Sequence, residues 1–436
     1  MARNDRLTRL DSGVRVVTEA MPSVRSVALG FWIAAGSRLE RDSEAGLSHL
    51  LEHLLFKGSD RFDSLEIDQI FDSMGAEINA GTGKETTSVY ARVLDRHLER
   101  AFEVMCDMVW APAFREVDTE REVVLEEIAM YEDDPQDKVF DVLGSAVFDG
   151  DPLARPILGR AEVIRDTAVE DIRAFHRDHY RADNVVVAAA GSIDHDRLVQ
   201  LVRDFDPSLA GGPAVTPNGG SPAGQDRPRV RFERKDTEQY HVCLGAAGLA
   251  RDDDRRFALR VLDNILGGTS SSRLFQEVRE KRGLAYGIYS FANHYAGTGQ
   301  IGLYVGTRAD NLEQSVAVIV AELERLTCDP ASEQELERSK DNVKGRLVLS
   351  LESTAAHMNR LGSSLLADIE LLSVDDVIER IDAVTLDDLH ELAELLWRPQ
   401  RLSAAGIGPD QQAFSAAISS LGGNWAPLAG STGSRR

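Results

Sequence analysis

The sequence predicts an α+β chain of two homologous domains, each a mostly antiparallel sheet covered by helices, joined by a Pro/Gly-rich linker. Three observations predict it. Short β-branched runs alternate with longer segments of helical period along the 436 residues. Between 207 and 228 that pattern gives way to Pro207, Gly211, Gly212, Pro213, Pro217, Gly219, Gly220, Pro222 and Pro228, with too little apolar surface to order itself. Beyond it the same succession of elements restarts, which points to an internal duplication. The expected layout is a first domain over 1–206, a linker over 207–228, a second domain over 229–426 and a disordered tail over 427–436.

Residues 14–20 and 25–35 are β-branched strands separated by Met21-Pro22-Ser23. A helix through Gly46–Phe56 follows, for which Asp42 or Ser43 can serve as the cap. A second helix, Ser64–Met74, stops at Gly75. Glu77–Gly81 and Thr86–Leu94 read as a strand pair around Gly81-Thr82-Gly83. Helices are expected near 95–110, 116–132, 136–147 and 168–180, then a strand at Val185–Ala190 and a helix over 194–204. After the linker come strands at 229–234 and 240–246 and helices at 253–266 and 271–281. Strands at 285–291 and 299–306, helices from 310 to 396 and a strand near 402–407 complete the chain.

A formal net charge of −23 argues against nucleic acid or an anionic membrane as the main partner. Cys106, Cys243 and Cys328 are odd in number and widely spaced, which fits a reducing compartment and offers no thiolate metal site. The N-terminus lacks a signal-peptide core and no apolar run reaches membrane-spanning length, so a soluble, cytoplasmic protein is expected.

The chemistry concentrates in Gly46-Leu-Ser-His49-Leu-Leu-Glu52-His53-Leu-Leu-Phe56. On a helix His49 and His53 stand one turn apart on one face, with Glu52 beside them on an otherwise apolar segment. Two imidazoles at this spacing grip a metal, and the carboxylate can take a proton from metal-bound water. The bland alternative is a buried polar cluster, but three such groups would each need a buried partner. A third ligand is sought in Glu120-Arg-Glu-Val-Val-Leu-Glu126-Glu127-Ile-Ala-Met-Tyr131. There Glu120, Val124, Glu127, Ile128 and Tyr131 share a helix face, which favours Glu127 as ligand over Glu126, with Glu120 one layer behind as support. In the second half, Leu262-Asp263-Asn264-Ile265-Leu266 aligns with Leu51-Glu52-His53-Leu54-Leu55 and puts Arg260 opposite His49, so both histidines are missing there. His176 and His179 read as structural, and Gly267-Gly268 as a helix C-cap.

His-x-x-Glu-His is the inverted zincin signature. With the Glu120-Arg121…Glu127 helix about seventy residues further on, the chain resembles the pitrilysin family, specifically its short two-domain branch, and is similar to the mitochondrial processing peptidase β subunit over nearly its whole length. The resemblance implies a zinc metalloendopeptidase with one Zn²⁺ per subunit, acting on peptides or unfolded polypeptide, with Glu52 as general base. It also implies that Asn79 and Ala80 lie on an edge strand that holds an extended peptide, by strand addition. Arg279 and Tyr286, in Arg279-Glu-Lys-Arg-Gly-Leu-Ala-Tyr286, match the family's Arg…Tyr pair, the tyrosine donating to the oxyanion. Because a short chain supplies one half of a clamshell, a homodimer is expected, with Arg279 and Tyr286 acting across subunits. The competing expectations are a non-catalytic assembly subunit and a peptide-holding chaperone of the same fold.

Overall fold

The computed structural model describes residues 5–205, 227–329, 331–423 and 425. In chain order the first half runs β1 (Asp5–Arg9), β2 (Arg15–Ala20), β3 (Ser26–Ile33), α1 (Leu47–Leu55), α2 (Ser64–Met74), β4 (Glu77–Thr82) and β5 (Thr87–Leu94). It continues through α3 (Leu98–Trp110), α4 (Val117–Asp133), α5 (Pro135–Val147), α6 (Ala161–Asp166), α7 (Val169–His179), β6 (Val185–Gly191) and α8 (His195–Phe205). The second half has β7 (Val230–Arg234), β8 (Gln239–Gly248), α9 (Arg256–Leu266), β9 (Ala285–Tyr295), β10 (Thr298–Arg308) and α10 (Leu312–Cys328). Then come α11 (Glu333–Ser350), α12 (Thr354–Leu366), α13 (Val374–Asp382), α14 (Leu386–Leu396), β11 (Ser403–Gly408) and α15 (Gln411–Ile418). The segment read as a helix at 271–281 contains a π-helical turn, Phe275–Glu280. Most of the expected linker and all of the expected tail lie outside the described residues.

The chain divides into two compact units, and neither is contiguous. The first comprises Met1–Ala129, Arg155–Asn218 and Val348–Ser373; the second comprises Met130–Ala154, Gly219–Leu347 and Val374–Arg436. Each sequence half thus gives one helix, α5 or α12, to the other unit, an arrangement the contiguous layout did not anticipate.

The first unit holds a six-stranded sheet in the order β1-β2-β6-β3-β5-β4. Only the β2–β6 pairing is parallel; the rest are antiparallel. Period-2 alternation sorts its side chains. Val27, Leu29, Phe31 and Ile33 face a core built with α1, α2, α3, α4, α7 and α8. Ala28, Val186, Ala188 and Ala190 face the other way, onto Met358 and Leu361 of α12. Small residues let that helix sit close: a Cβ on Gly362 would lie 2.1 Å from Trp32 Nε1. An apolar sheet face left bare would be costly to hydrate, and α12 supplies the cover.

The second unit repeats the plan with a five-stranded sheet, β7-β11-β8-β10-β9, in which β7–β11 is the parallel pair. One face carries the main core with α9, α10 and α14. The other is covered by Val139, Val142, Leu143 and Val147 of α5, against Cys243, Tyr304, Ala405 and Ile407. Among the described residues no helix is long and apolar enough to cross a membrane.

Candidate metal centre and its surroundings

The first unit brings His49, Glu52, His53, Glu120 and Glu127 together. Leu47, Leu50, Leu51, Leu54 and Leu55 bury α1 in the core and leave its histidine face toward α4. The cap differs from the expectation. Asp42–Glu44 form a short 3₁₀ turn, and the first helical turn is held by Glu40, whose Oε2 and Oε1 accept the Gly46 and Ser48 N–H groups at 2.9 and 2.8 Å. Glu40 is buried; desolvation raises its carboxyl above the usual range and those two N–H groups pull it back. Gly46 enters the helix at φ 102°, a conformation that favours glycine.

His49 Nε2 and His53 Nε2 both lie 3.4 Å from Glu127 Oε2. Ligand atoms at about 2.05 Å from a tetrahedral zinc stand about 3.3 Å apart, close to these two separations, and all three ligand atoms lie within 4.8 Å of one another. This is the one group of three or more His, Cys, Asp or Glu side chains among the described residues that could hold a metal. The imidazole rings are 4.7 Å apart and nearly edge-on. Burial, with His53 adding to it, depresses His49 to a pKa of about 4, so it presents a lone pair at neutral pH. His49 is 7% exposed, and its Nδ1 is buried with no hydrogen-bond partner among the described residues. His53 Nδ1 instead faces Glu120 Oε2 at 3.3 Å, and Lys57 Nζ reaches Glu120 Oε1 at 2.8 Å. Glu120 is buried and backs the histidine, as its position on α4 suggested. Glu127 is less enclosed than an apolar stripe implies: its side chain is 44% exposed, at the rim beyond buried Val124 and Ile128. Glu126 is exposed.

Glu52 is half-buried, and desolvation raises its carboxyl pKa. Thr82 Oγ1 donates to its Oε2 at 2.5 Å, which opposes the rise. Thr82 closes β4, the edge strand of the sheet, and Asn79 and Ala80 lie three and two residues before it. Ala80 N–H donates to the Asn79 side-chain oxygen at 2.8 Å. Glu40, Lys57 and Thr82 were missed from sequence. Thr82 shares a strand face with Ala80, and Lys57 follows His53 by one turn, so both carried a spacing signal. Glu40 carried none, since its contact depends on how the preceding loop folds back.

In the second unit Arg279 and Tyr286 are neighbours. The guanidinium lies over the Tyr286 ring at 4.3 Å and the Phe275 ring at 4.7 Å, and Nη1 donates to the Tyr286 carbonyl at 3.2 Å. The Tyr286 side chain is presented to solvent, the residue being 79% exposed. The counterpart of α1 is α9, where Asn264 bonds Asn342 at 2.9 Å, and burial together with Arg346 lowers the Arg260 pKa. Arg260 and Asn264 stand where the first unit has His49 and His53, while Asp263 keeps a carboxylate at the place of Glu52. His176 Nε2 is tied to the Val109 carbonyl at 2.8 Å, a structural role.

Residues 15–161 match the model of the insulinase family, peptidase family M16, and residues 167–343 match that of the M16 inactive domain. An uncharacterized zinc protease of Streptomyces coelicolor is 44% identical over 416 residues, covering 94% of this chain and 91% of that protein. A Bacillus subtilis protein described in the same words is 41% identical, covering 88% and 94%. A protease from Helicobacter pylori superposes with a TM-score of 0.87 at 23% identity, covering 93% of this chain and all of its own. A Pseudomonas fluorescens M16 inactive-domain structure gives 0.86 at 23% identity, covering 93% and 98%. With both family models matched in order and relatives above 40% identity along most of its length, the chain belongs to peptidase family M16, the pitrilysin family, as a short two-domain member.

Proposed function

We propose that this chain is a zinc-dependent endopeptidase that hydrolyses peptides or unfolded polypeptide segments. The observation that carries the reading is the convergence of His49 Nε2, His53 Nε2 and Glu127 Oε2, each histidine nitrogen 3.4 Å from the carboxylate oxygen, with the Glu52 carboxyl beside them. Held by His49, His53 and Glu127, a Zn²⁺ ion would supply Lewis acidity and make water acidic enough to lose a proton near neutrality. Glu52 acts as general base and returns the proton to the leaving amine. Thr82 fixes the Glu52 carboxylate, and Glu120 holds the His53 ring so that Nε2 faces the ion. The open edge of β4 near Asn79 and Ala80 takes an extended chain by main-chain hydrogen bonds, the Asn79 side chain giving up the Ala80 N–H. Tyr286 donates to the developing oxyanion and Arg279 orients it, from the partner subunit of a homodimer.

The test is Glu52→Gln. The variant is expected to keep one zinc per chain while chelator-sensitive peptide turnover falls by about 10²–10⁴. Undiminished turnover in the zinc-loaded variant removes Glu52 as the base; absence of turnover in the zinc-loaded parent removes the peptidase reading.

A further inference from the structure

The turn that joins β4 to β5 and the start of α1 are both tied to one short segment, residues 37–40. Ser37 N–H donates to the Gly83 carbonyl at 3.3 Å and Arg38 N–H to the Lys84 carbonyl at 2.7 Å, so the segment lies along the turn. Arg38 Nη1 then donates to Glu85 Oε1 at 2.5 Å. Two residues further on, Glu40 accepts the Gly46 and Ser48 N–H groups at the start of α1. Thr82 leads into the same β4–β5 turn. Its hydroxyl donates to Glu52 Oε2 at 2.5 Å and lies 3.5 Å from the Ser48 carbonyl, so it meets α1 on the turn that Glu40 holds. One side of the Glu52–Thr82 contact is thus anchored through Glu40 and the other through Arg38.

The Arg38–Glu85 pair is buried on both sides, its side chains 4% and 6% exposed. Taking two charges out of water costs about what their attraction returns, so an apolar pair of similar volume would hold the fold as well. What an apolar pair lacks is direction. A guanidinium bonded to a carboxylate fixes both the separation and the angle of the two chain segments that carry them. The pair therefore contributes little to stability and much to geometry, and it does so three residues from Thr82. We propose that Arg38 and Glu85 are positioning residues for Glu52. Their ion pair sets the β4–β5 turn against α1 at the separation at which Thr82 holds one carboxylate oxygen and leaves the other to take a proton. The inference rests on the peptidase reading for the role of Glu52.

The experiment replaces the ion pair by an apolar one, Arg38→Met/Glu85→Leu, in the zinc-loaded full chain. Tm is expected to stay within about 5 °C of the parent and zinc content at one ion per chain. KM is expected to change by less than about twofold while kcat falls about tenfold, the scale of a displaced base. Arg38→Lys, which keeps the charge but not the planar fork, is expected to lose about threefold in kcat. In a Thr82→Val background the same double substitution is expected to cost less than about twofold more, since the contact it aligns is already gone. Parental kcat in the folded double variant, or the full loss repeated in the Thr82→Val background, overturns the positioning role and leaves the peptidase reading standing. Failure to fold, or a Tm lower by more than about 5 °C, makes the pair a structural strut and also overturns it. The readout independent of turnover is the Glu52 carboxyl resonance in zinc-loaded protein labelled with carboxyl-¹³C glutamate, identified by its loss in Glu52→Gln. It is expected to move in Arg38→Met/Glu85→Leu toward the position it takes in Thr82→Val; a resonance that stays at its parental position overturns the positioning role. If the zinc-loaded parent cleaves no peptide, the peptidase reading fails, and this resonance decides whether the pair places Glu52.

Discussion

Replacing Glu40 by Gln tests whether α1, which carries His49 and His53, is held from its N-terminus. The carboxylate is 3% exposed and accepts two N–H groups of the first turn, at 2.9 and 2.8 Å. Those are orphan donors of a helix end, and a buried anion there also meets the positive end of the helix dipole. Glutamine keeps the shape and one acceptor but turns an amide NH₂ toward the other N–H. One charge-assisted hydrogen bond is lost and one becomes neutral, a cost of about 2–3 kcal/mol. For a unit of this size that lowers Tm by about 5–10 °C. Since His49 and His53 ride on the same turns, zinc affinity measured by chelator competition is expected to fall as well, while Glu40→Asp, with a shorter reach, recovers part of both. Unchanged Tm and zinc affinity in Glu40→Gln would refute the idea that this carboxylate sets the helix.

Three further outcomes are expected. Glu120→Gln, which leaves His53 Nδ1 and Lys57 with a neutral partner, should weaken zinc binding by about 10–100-fold without loss of fold, as read by chelator competition and circular dichroism. Mixing Glu52→Gln with Tyr286→Phe protein, each inactive alone, should restore up to about a quarter of parental turnover if the tyrosine works across subunits; no recovery would place it in the same chain. The last concerns α12. His357 Nε2 lies 2.8 Å from the Leu351 carbonyl and Nδ1 lies 3.0 Å from Glu19 Oε2, and Arg360 reaches the same oxygen at 2.8 Å. The Glu19 hydrogen bond raises the His357 pKa; Glu19 is lowered, its burial outweighed by His357 and Arg360. The histidine part of this stabilisation is complete below its unfolded value of 6.5 and is lost as pH rises through the raised folded value. The glutamate part is complete above 4.5 and is lost as pH falls through the lowered folded value. Thermal stability of the first unit should therefore plateau between those values and drop by about 1 kcal/mol on either side, a figure discounted for partial exposure. Glu19→Gln should flatten the profile measured by differential scanning calorimetry.

The candidate metal ligands were legible because their signal is local. His49 and His53 sit one turn apart, and helix period alone puts Glu120 and Glu127 on one face of α4. The strand pair around Gly81–Gly83 and the duplicated order of elements were legible for the same reason, since alternation and period need no knowledge of distant contacts. Glu40 as the cap was not legible: Asp42 and Ser43 have the better capping chemistry, and only the path of the chain brings a more remote carboxylate onto Gly46 and Ser48. Glu127 proved half-exposed because a helix face says which way a side chain points, not how far the neighbouring elements extend over it.

The sequence by itself determined the residue types, spacing and faces of the candidate zinc set and the loss of that set from the second half. Tertiary structure decided which sheet each helix covers. The apolar faces of α5 and α12 are legible as stripes, but a stripe fits any complementary apolar sheet face. That these helices leave their own halves depends on close approaches such as Gly362 on Trp32. Such approaches depend on shape matched between residues hundreds of positions apart, which no local period records.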